Sequence, residues 1–151
     1  MKTFRMRVED VRRRWYHIDA DGKTLGKVAV KAATILLGKD KPTFTPGVDT
    51  GDFVLVTNAK KVRVSGRKGD DKLYRHHTLY LGGLVEEPYG EVLEKHPDRV
   101  VLLAVRRMLP KSTLGRQLLR RLRVFGGTEH PHAAQKPETI EIGRPPLKVK
   151  S

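Results

Sequence analysis

The sequence predicts an α/β domain, a β-sheet with helices packed on its faces. Three observations carry that expectation. Phe53-Val54-Leu55-Val56-Thr57 is an unbroken β-prone run, the pattern of a strand covered on both sides. Between Thr24 and Leu37 the apolar positions Leu25, Val28, Ala29, Ala32, Ile35 and Leu36 follow helical spacing. Strand-like and helix-like segments then alternate along the chain, as they do when helices cover a sheet.

Taken in order, residues 1–14 form a basic arm, with Lys2, Arg5, Arg7, Arg12, Arg13 and Arg14 against Glu9 and Asp10. Trp15 to Ala20 reads as a strand closed by the Asp21-Gly22 turn. Thr24 caps the first helix and Gly38 stops it. Lys39 to Gly51 is a loop punctuated by Pro and Gly, followed by the Phe53–Thr57 strand. Val62-Arg63-Val64 reads as a short strand, residues 65–72 as a polar loop, and Leu73 to Tyr80 as an extended segment ending at Gly82-Gly83. Pro88 to Glu94 forms a short helix. Pro97 suits a first helical position, and Pro110 stops that helix near Leu109. A last helix starts at Ser112 or Thr113. Its inward stripe is Leu114, Leu118 and Leu122 with Leu119 beside it, and Arg116, Arg120, Arg121 and Arg123 project away. Residues 126–151, rich in Gly, Pro and His, read as an extended tail, which leaves a single domain over 15–125.

The chain has 151 residues, enough for one domain that buries about 70% of the surface its unfolded form exposes. Lys and Arg number 31 against 17 Asp and Glu, for a net charge of +14. Such an excess repels itself in a compact state, so a polyanionic partner is expected. The absence of cysteine excludes disulfides, thiolate metal sites and cysteine nucleophiles. No apolar stretch follows the Met1-Lys2-Thr3-Phe4-Arg5 start, and none approaches the ~20 residues of a membrane span, so neither a secretory leader nor a membrane partner is expected.

The positive charge is clustered. Lys60, Lys61, Arg63, Arg67 and Lys68 form one patch without an acid, and Arg106, Arg107, Lys111, Arg116, Arg120, Arg121 and Arg123 form another. Glu86, Glu87, Glu91, Glu94 and Asp98 gather elsewhere. A solvated helix face usually interleaves both signs so that pairs form every three or four residues. Segregation of this kind is what a face laid against phosphates requires. RNA is preferred over DNA because no zinc-finger, basic-zipper or helix-turn-helix pattern is present. Tyr74, Arg75, His76, His77 and Tyr80 lie together, and their rings either stack on unpaired bases or belong to the core.

Several chemistries fail on inspection. Asp49-Thr50-Gly51 resembles an aspartic-protease loop, but that reaction needs two such carboxylates, and Asp52 adds an unwanted charge; turn chemistry explains the tripeptide. Gly22-Lys23-Thr24 mimics the end of a phosphate-binding loop, yet its first glycine position holds His17. His76 and His77, adjacent on an extended segment, point to opposite faces. His130 and His132 share a side but lack a thiolate or carboxylate to complete a metal shell. No Gly-x-Ser-x-Gly elbow occurs. No cofactor, metal or enzymatic activity is therefore expected.

An ordered series of motifs remains: Thr24-Leu25-Gly26, Gly38-Lys39-Asp40-Lys41-Pro42, Val48-Asp49-Thr50-Gly51-Asp52-Phe53, Asn58-Ala59-Lys60-Lys61-Val62 and Gly66-Arg67-Lys68. It continues with His77-Thr78, Gly82-Gly83-Leu84, Met108-Leu109-Pro110-Lys111, Leu114-Gly115-Arg116 and Glu129-His130-Pro131-His132-Ala133-Ala134-Gln135. In this series the chain resembles the bacterial-type large-subunit ribosomal protein L-thirteen family from Trp15 to about Pro137. It departs at Tyr80-Leu81-Gly82-Gly83, where the family usually has Tyr-Pro-Gly-Gly, and at Ser112-Thr113, where it usually has Asn-Arg.

The resemblance implies a three-layer α/β/α domain around a mostly parallel four-stranded sheet. It implies a non-enzymatic cytoplasmic constituent of the large ribosomal subunit that binds large-subunit ribosomal RNA early in assembly. Other ribosomal proteins would be its neighbours, and it would not be a homo-oligomer. On this reading the cations of both acid-free patches contact phosphates, while Lys39, Lys41 and the His130–His132 segment thread between RNA elements. The competing expectations are a small nucleotide-dependent or nuclease-like enzyme on the same fold, and a free RNA chaperone or translational regulator using the same surface.

Overall fold

A computed structural model describes residues 5–142. Lys2 of the expected arm and residues 143–151 of the expected tail lie outside the described residues. Four strands form the main sheet: β1 (Trp15–Asp19), β2 (Phe53–Thr57), β5 (Leu122–Val124) and β6 (Glu138–Thr139). Their order is β5-β2-β1-β6 and every pairing is parallel. The remaining two strands, β3 (Leu73–His77) and β4 (Leu84–Pro88), form a separate antiparallel hairpin. Five helices complete the α/β fold: α1 (Leu25–Leu37), the single turn α2 (Lys68–Asp71), α3 (Tyr89–Lys95), α4 (Pro97–Met108) and α5 (Thr113–Leu119).

The period of two along the strands decides what each sheet face buries. Ile18 of β1, Val54 and Val56 of β2 and Leu122 of β5 share one face and one core with Leu25, Val28, Ala32, Ile35 and Leu36 of α1 and Val100, Val101 and Val105 of α4. Helices α1 and α4 pack on each other over that face. Parallel β1 and β2 need a crossover between them, and α1 supplies it. Thr24 stands in extended backbone at the start of α1, but its hydroxyl makes no capping bond. Gly38 ends the helix at φ 78, with its N–H reaching back to Ile35, a left-handed position that disfavours a side chain.

The opposite face carries Trp15, His17, Phe53 and Leu55, and the segment after β5 folds over it. Trp15 stacks on Phe53 with ring centroids 4.5 Å apart, and His132 stacks on Trp15 at 5.2 Å. His17 bridges from Thr57 Oγ1 at 2.9 Å to Thr139 Oγ1 at 3.3 Å, tying β6 to the sheet. Thus the expected tail contributes a strand. The expected Val62–Val64 strand is reduced to one bridge between Arg63 and Thr24.

One expectation needs a larger correction. The last helix ends at Leu119, and Leu122 belongs to β5, paired with Val54. The leucine at every fourth position imitates a continuing helix, because a buried strand residue and a buried helix residue look alike in a short apolar pattern. The pairing with β2 overrides the local signal. Two further elements, the α2 turn and strand β4, lie in segments that carry no clear periodicity.

The loop between α1 and β2 is locked by two carboxylates. Asp52, 3% exposed, accepts the Arg14 N–H at 2.9 Å and the Lys41 ammonium at 2.7 Å. Lys41 also donates to the carbonyls of Arg12 and Thr50, each at 3.0 Å. Asp49 receives the Arg121 guanidinium on both oxygens, and Arg13 lies 3.6 Å away.

Two outcomes follow from this packing. Asp52→Ala leaves a half-buried ammonium and an amide without their acceptor and should cost about 2–3 kcal/mol in urea unfolding, with Asp52→Asn costing less. The His17 imidazole is held below its ordinary value of 6.5, chiefly by burial and then by the charge of His130, with Asp19 opposing. The unfolded chain therefore takes up this proton first as pH falls. Stability present above the unfolded value is lost as pH drops through it toward the lower folded value. Urea midpoints compared at about pH 7.5 and about pH 5.5 should fall less in His17→Gln than in the parent.

Candidate nucleic-acid interface

The turn from α4 into α5 is where the second acid-free stretch becomes a surface. Pro110 ends α4, and the chain doubles back so closely that a Cβ on Gly115 would stand 1.8 Å from the Pro110 carbonyl oxygen. Only a residue without a side chain permits that approach. The result is a groove of about 510 Å³ lined by Arg106, Arg107, Lys111 and Arg116 over a floor that includes Leu103, Leu109 and Leu119. None of its lining residues is acidic.

The first acid-free stretch reaches the same place by another route. Arg63 is fixed beside the start of α1, because its N–H bonds to the Lys23 carbonyl at 2.9 Å and its own carbonyl accepts the Leu25 N–H at 2.8 Å. A second groove, of about 530 Å³, opens there between the first turn of α1 and the last turn of α4. Its cations are Lys27, Arg63, Lys68, Lys72 and Arg107, again with no carboxylate in the lining. Arg107 belongs to both grooves, so the two surfaces are continuous. A shallower extension adds Arg67, with Asp71 at its margin.

The charges in this region oppose one another. The Lys72 ammonium is held below the usual lysine value, first by burial and then by the positive charges of Arg107 and Lys68. It sits over two aromatic faces, 5.4 Å from the centre of the Tyr74 ring and 6.0 Å from that of Tyr89. Among the described residues none of Arg63, Arg67, Lys68, Lys72, Arg106, Arg107, Lys111 and Arg116 makes an ion pair within the chain. Cations left together without internal relief are stabilised by an external polyanion.

The other expected site residues lie elsewhere. Tyr74 is buried beside Tyr89 with its hydroxyl unpartnered, so its ring has no free face for a base. Its burial also pushes the phenol above the usual tyrosine value. Lys41 and Arg121 are consumed by Asp52 and Asp49, the clamp that holds the loop before β2. Arg121 was expected at phosphates and Lys41 between RNA elements; within the chain they neutralise the half-buried Asp49 and the buried Asp52. Lys61 pairs with Asp21 at 3.0 Å and Arg75 with Glu86 at 2.5 Å, both at exposed positions. Lys60 is exposed just after β2, and Lys39 is exposed just after α1, where it lines a neighbouring pocket that shares Leu109 and Pro110 with the first groove. Arg120 is exposed just beyond α5, and Arg123, also exposed, lies opposite Leu55 on β5, on the sheet face that bears Trp15 and Phe53. His130 and His132 are half-buried in that segment's ring cluster with Phe125, His17 and Trp15. His76 and His77 are exposed at the end of β3, and His77 Nδ1 accepts the Leu79 N–H at 2.9 Å.

Sequence reasoning missed Lys27 and Lys72. Lys27 lies on the polar side of an amphipathic helix, where a lysine attracts no notice. Lys72 follows Asp70 and Asp71, and that neighbourhood hid it from a search for acid-free runs. Among the described residues no group of His, Asp and Glu side chains converges as a metal shell would, and no described helix is long and apolar enough to cross a membrane.

Residues 13–131 match the family model for ribosomal protein L13. A protein of Ruminiclostridium cellulolyticum named large ribosomal subunit protein uL13 is 55% identical over 142 residues, covering 94% of this chain and 99% of the relative. Its namesake in Clostridium perfringens is 56% identical over the same shares, and that of Chloroflexus aurantiacus is 54% identical over 91% of this chain and 96% of the relative. With similarity of that depth running almost end to end, the chain belongs to the ribosomal protein L13 family.

Proposed function

We propose that this chain is a structural, non-enzymatic constituent of the large ribosomal subunit, working in the cytoplasm. Its mechanism is to hold large-subunit ribosomal RNA through the paired grooves that meet at Arg107. One observation carries the reading: three stretches far apart in sequence, at Lys27, Arg63–Lys72 and Arg106–Arg116, supply a continuous surface whose lining has eight cations and no carboxylate. A phosphate backbone laid along it would release counterions from RNA and relieve the repulsion among Arg107, Lys68 and Lys72. The contacts are to backbone, so they set position, and discrimination among RNAs comes from shape. The names of the relatives support the large subunit as the setting.

Within that setting the protein acts early in assembly, as a single copy beside other ribosomal proteins. A rigid sheet with an unrelieved cationic side suits a scaffold that gathers RNA segments before the particle closes around them. The domain proper runs from Trp15 through β6, with the arm before it and residues 143–151 after it.

Binding to a large-subunit RNA fragment should weaken by about 10³–10⁵-fold between 50 and 200 mM salt if six to ten phosphates are engaged. Arg107→Ala and Lys68→Ala should each weaken binding and lower the slope of log affinity against log salt by about 0.7–0.9. Lys95→Ala, whose lysine is paired with Glu91 outside the grooves, should leave the slope unchanged. Filter-binding titrations at several salt concentrations read all three. A flat salt dependence, or equal loss in Lys95→Ala, would remove the proposal.

A further inference from the structure

The β3–β4 hairpin stands apart from the main sheet, and its tip presents apolar side chains to solvent. Leu79, Tyr80 and Leu81 are 92%, 79% and 106% exposed, and Leu84 on the flank is 57% exposed. Three consecutive large apolar residues at this exposure form a contiguous patch of the kind that marks interaction sites.

The tip is ordered by its own bonds. The Thr78 N–H donates to the Gly83 carbonyl at 2.9 Å, the Gly83 N–H to the Tyr80 carbonyl at 2.9 Å, and the Leu79 N–H to His77 Nδ1 at 2.9 Å. Leu79 is held at φ 72, a left-handed conformation that a leucine side chain disfavours. A leucine kept in strained backbone and in water meets neither a folding need nor a solubility need, which leaves recognition.

Charge tells what kind of partner fits. From Thr78 to Glu94 the chain has no lysine or arginine, and its only charged residues are Glu86, Glu87, Glu91 and Glu94. Glu86, Glu87 and Glu91 reach cations outside that stretch, at Arg75, Arg99 and Lys95, while Glu94 makes no ion pair among the described residues. On the paired strand β3, Arg75 is answered by Glu86 and only the imidazoles of His76 and His77 adjoin the tip, so a phosphate backbone would find no free lysine or arginine there. A basic protein surface with a nonpolar pocket would bury the leucines and place its rim cations near the acids.

The geometry points to the hairpin tip as a docking knob for a second, basic protein of the same particle, with Leu79 and Leu81 as buried anchors and Tyr80 at the rim. This inference rests on the ribosomal reading, and the experiment separates the two. The full chain, carrying the photoreactive residue benzoylphenylalanine in place of Leu81, is expressed in cells. Large subunits are purified, the chain's occupancy in them is quantified, and the particles are irradiated.

The expected result is full occupancy with one ribonuclease-resistant adduct to a single basic subunit protein. The adduct should map to apolar residues flanked by lysine or arginine. Leu79→Ser with Tyr80→Ser should lower its yield by about tenfold or more while the chain stays in the particle. Leu79→Gly relieves the backbone, so the fold keeps or gains stability in urea unfolding while the adduct is lost. A ribonuclease-sensitive adduct, an adduct to a second copy, no adduct at full occupancy, or full yield from Leu79→Gly overturns the inference and leaves the ribosomal reading standing. A chain absent from the subunits overturns both.

Discussion

The structure depends on the two carboxylates that bracket Thr50 and Gly51. Asp52 ties the end of the N-terminal arm and the Lys41 ammonium to the start of β2. Asp49 ties Arg121 to the same place, and Arg121 is the residue that leads into β5. Three distant parts of the chain are thereby fixed around one loop, where β1, β2 and β5 all begin. The cost of withdrawing these charges from water is met because each carboxylate is both ion-paired and hydrogen-bonded. Parallel strands have no hairpin to set their register, so an ionic anchor at their shared origin is a sound way to align them.

The same clamp shapes the electrostatics of the whole molecule. On the loop side the buried Asp52 neutralises Lys41, and the half-buried Asp49 neutralises Arg13 and Arg121. Acids on β4 and α3 neutralise Arg75, Arg99 and Lys95. The grooves at the α4–α5 turn and the start of α1 receive none. A formal charge of +14 therefore understates the field where it matters and overstates it elsewhere. Repulsion left in place across those grooves is a standing cost to the isolated fold, and binding to a polyanion recovers it.

Much of this was legible in the sequence. The β2 run, the α1 periodicity with its Gly38 stop, and the helix opened by Pro97 were each set by local signals strong enough to stand alone. Leu122 was not, because its burial is a property of pairing with Val54, a neighbour remote in sequence. The tail's β6 was hidden for the same reason: two residues cannot announce a strand before a partner edge is known. At the site, charge clustering found most of the groove cations. It could not tell Arg116, which makes no ion pair among the described residues, from Arg121, which is answered by Asp49 across 72 positions. Nor could it settle Tyr74, whose exposure is decided by Tyr89 and Lys72. The ordered motifs that resemble the L-thirteen family carried information that composition lacked.

The position of β6 has a consequence for how the molecule comes into being. Tyr16 and His17 pair with Glu138 and Thr139, so the outer edge of the sheet is completed by nearly the last residues described. During vectorial synthesis β1 leaves the translating machinery long before β6, its neighbour on that edge, exists, although β2 follows soon to cover the other edge. Until then the backbone groups on that one edge are open to any other strand in reach. Closing that edge therefore waits on Glu138 and Thr139, the last strand among the described residues.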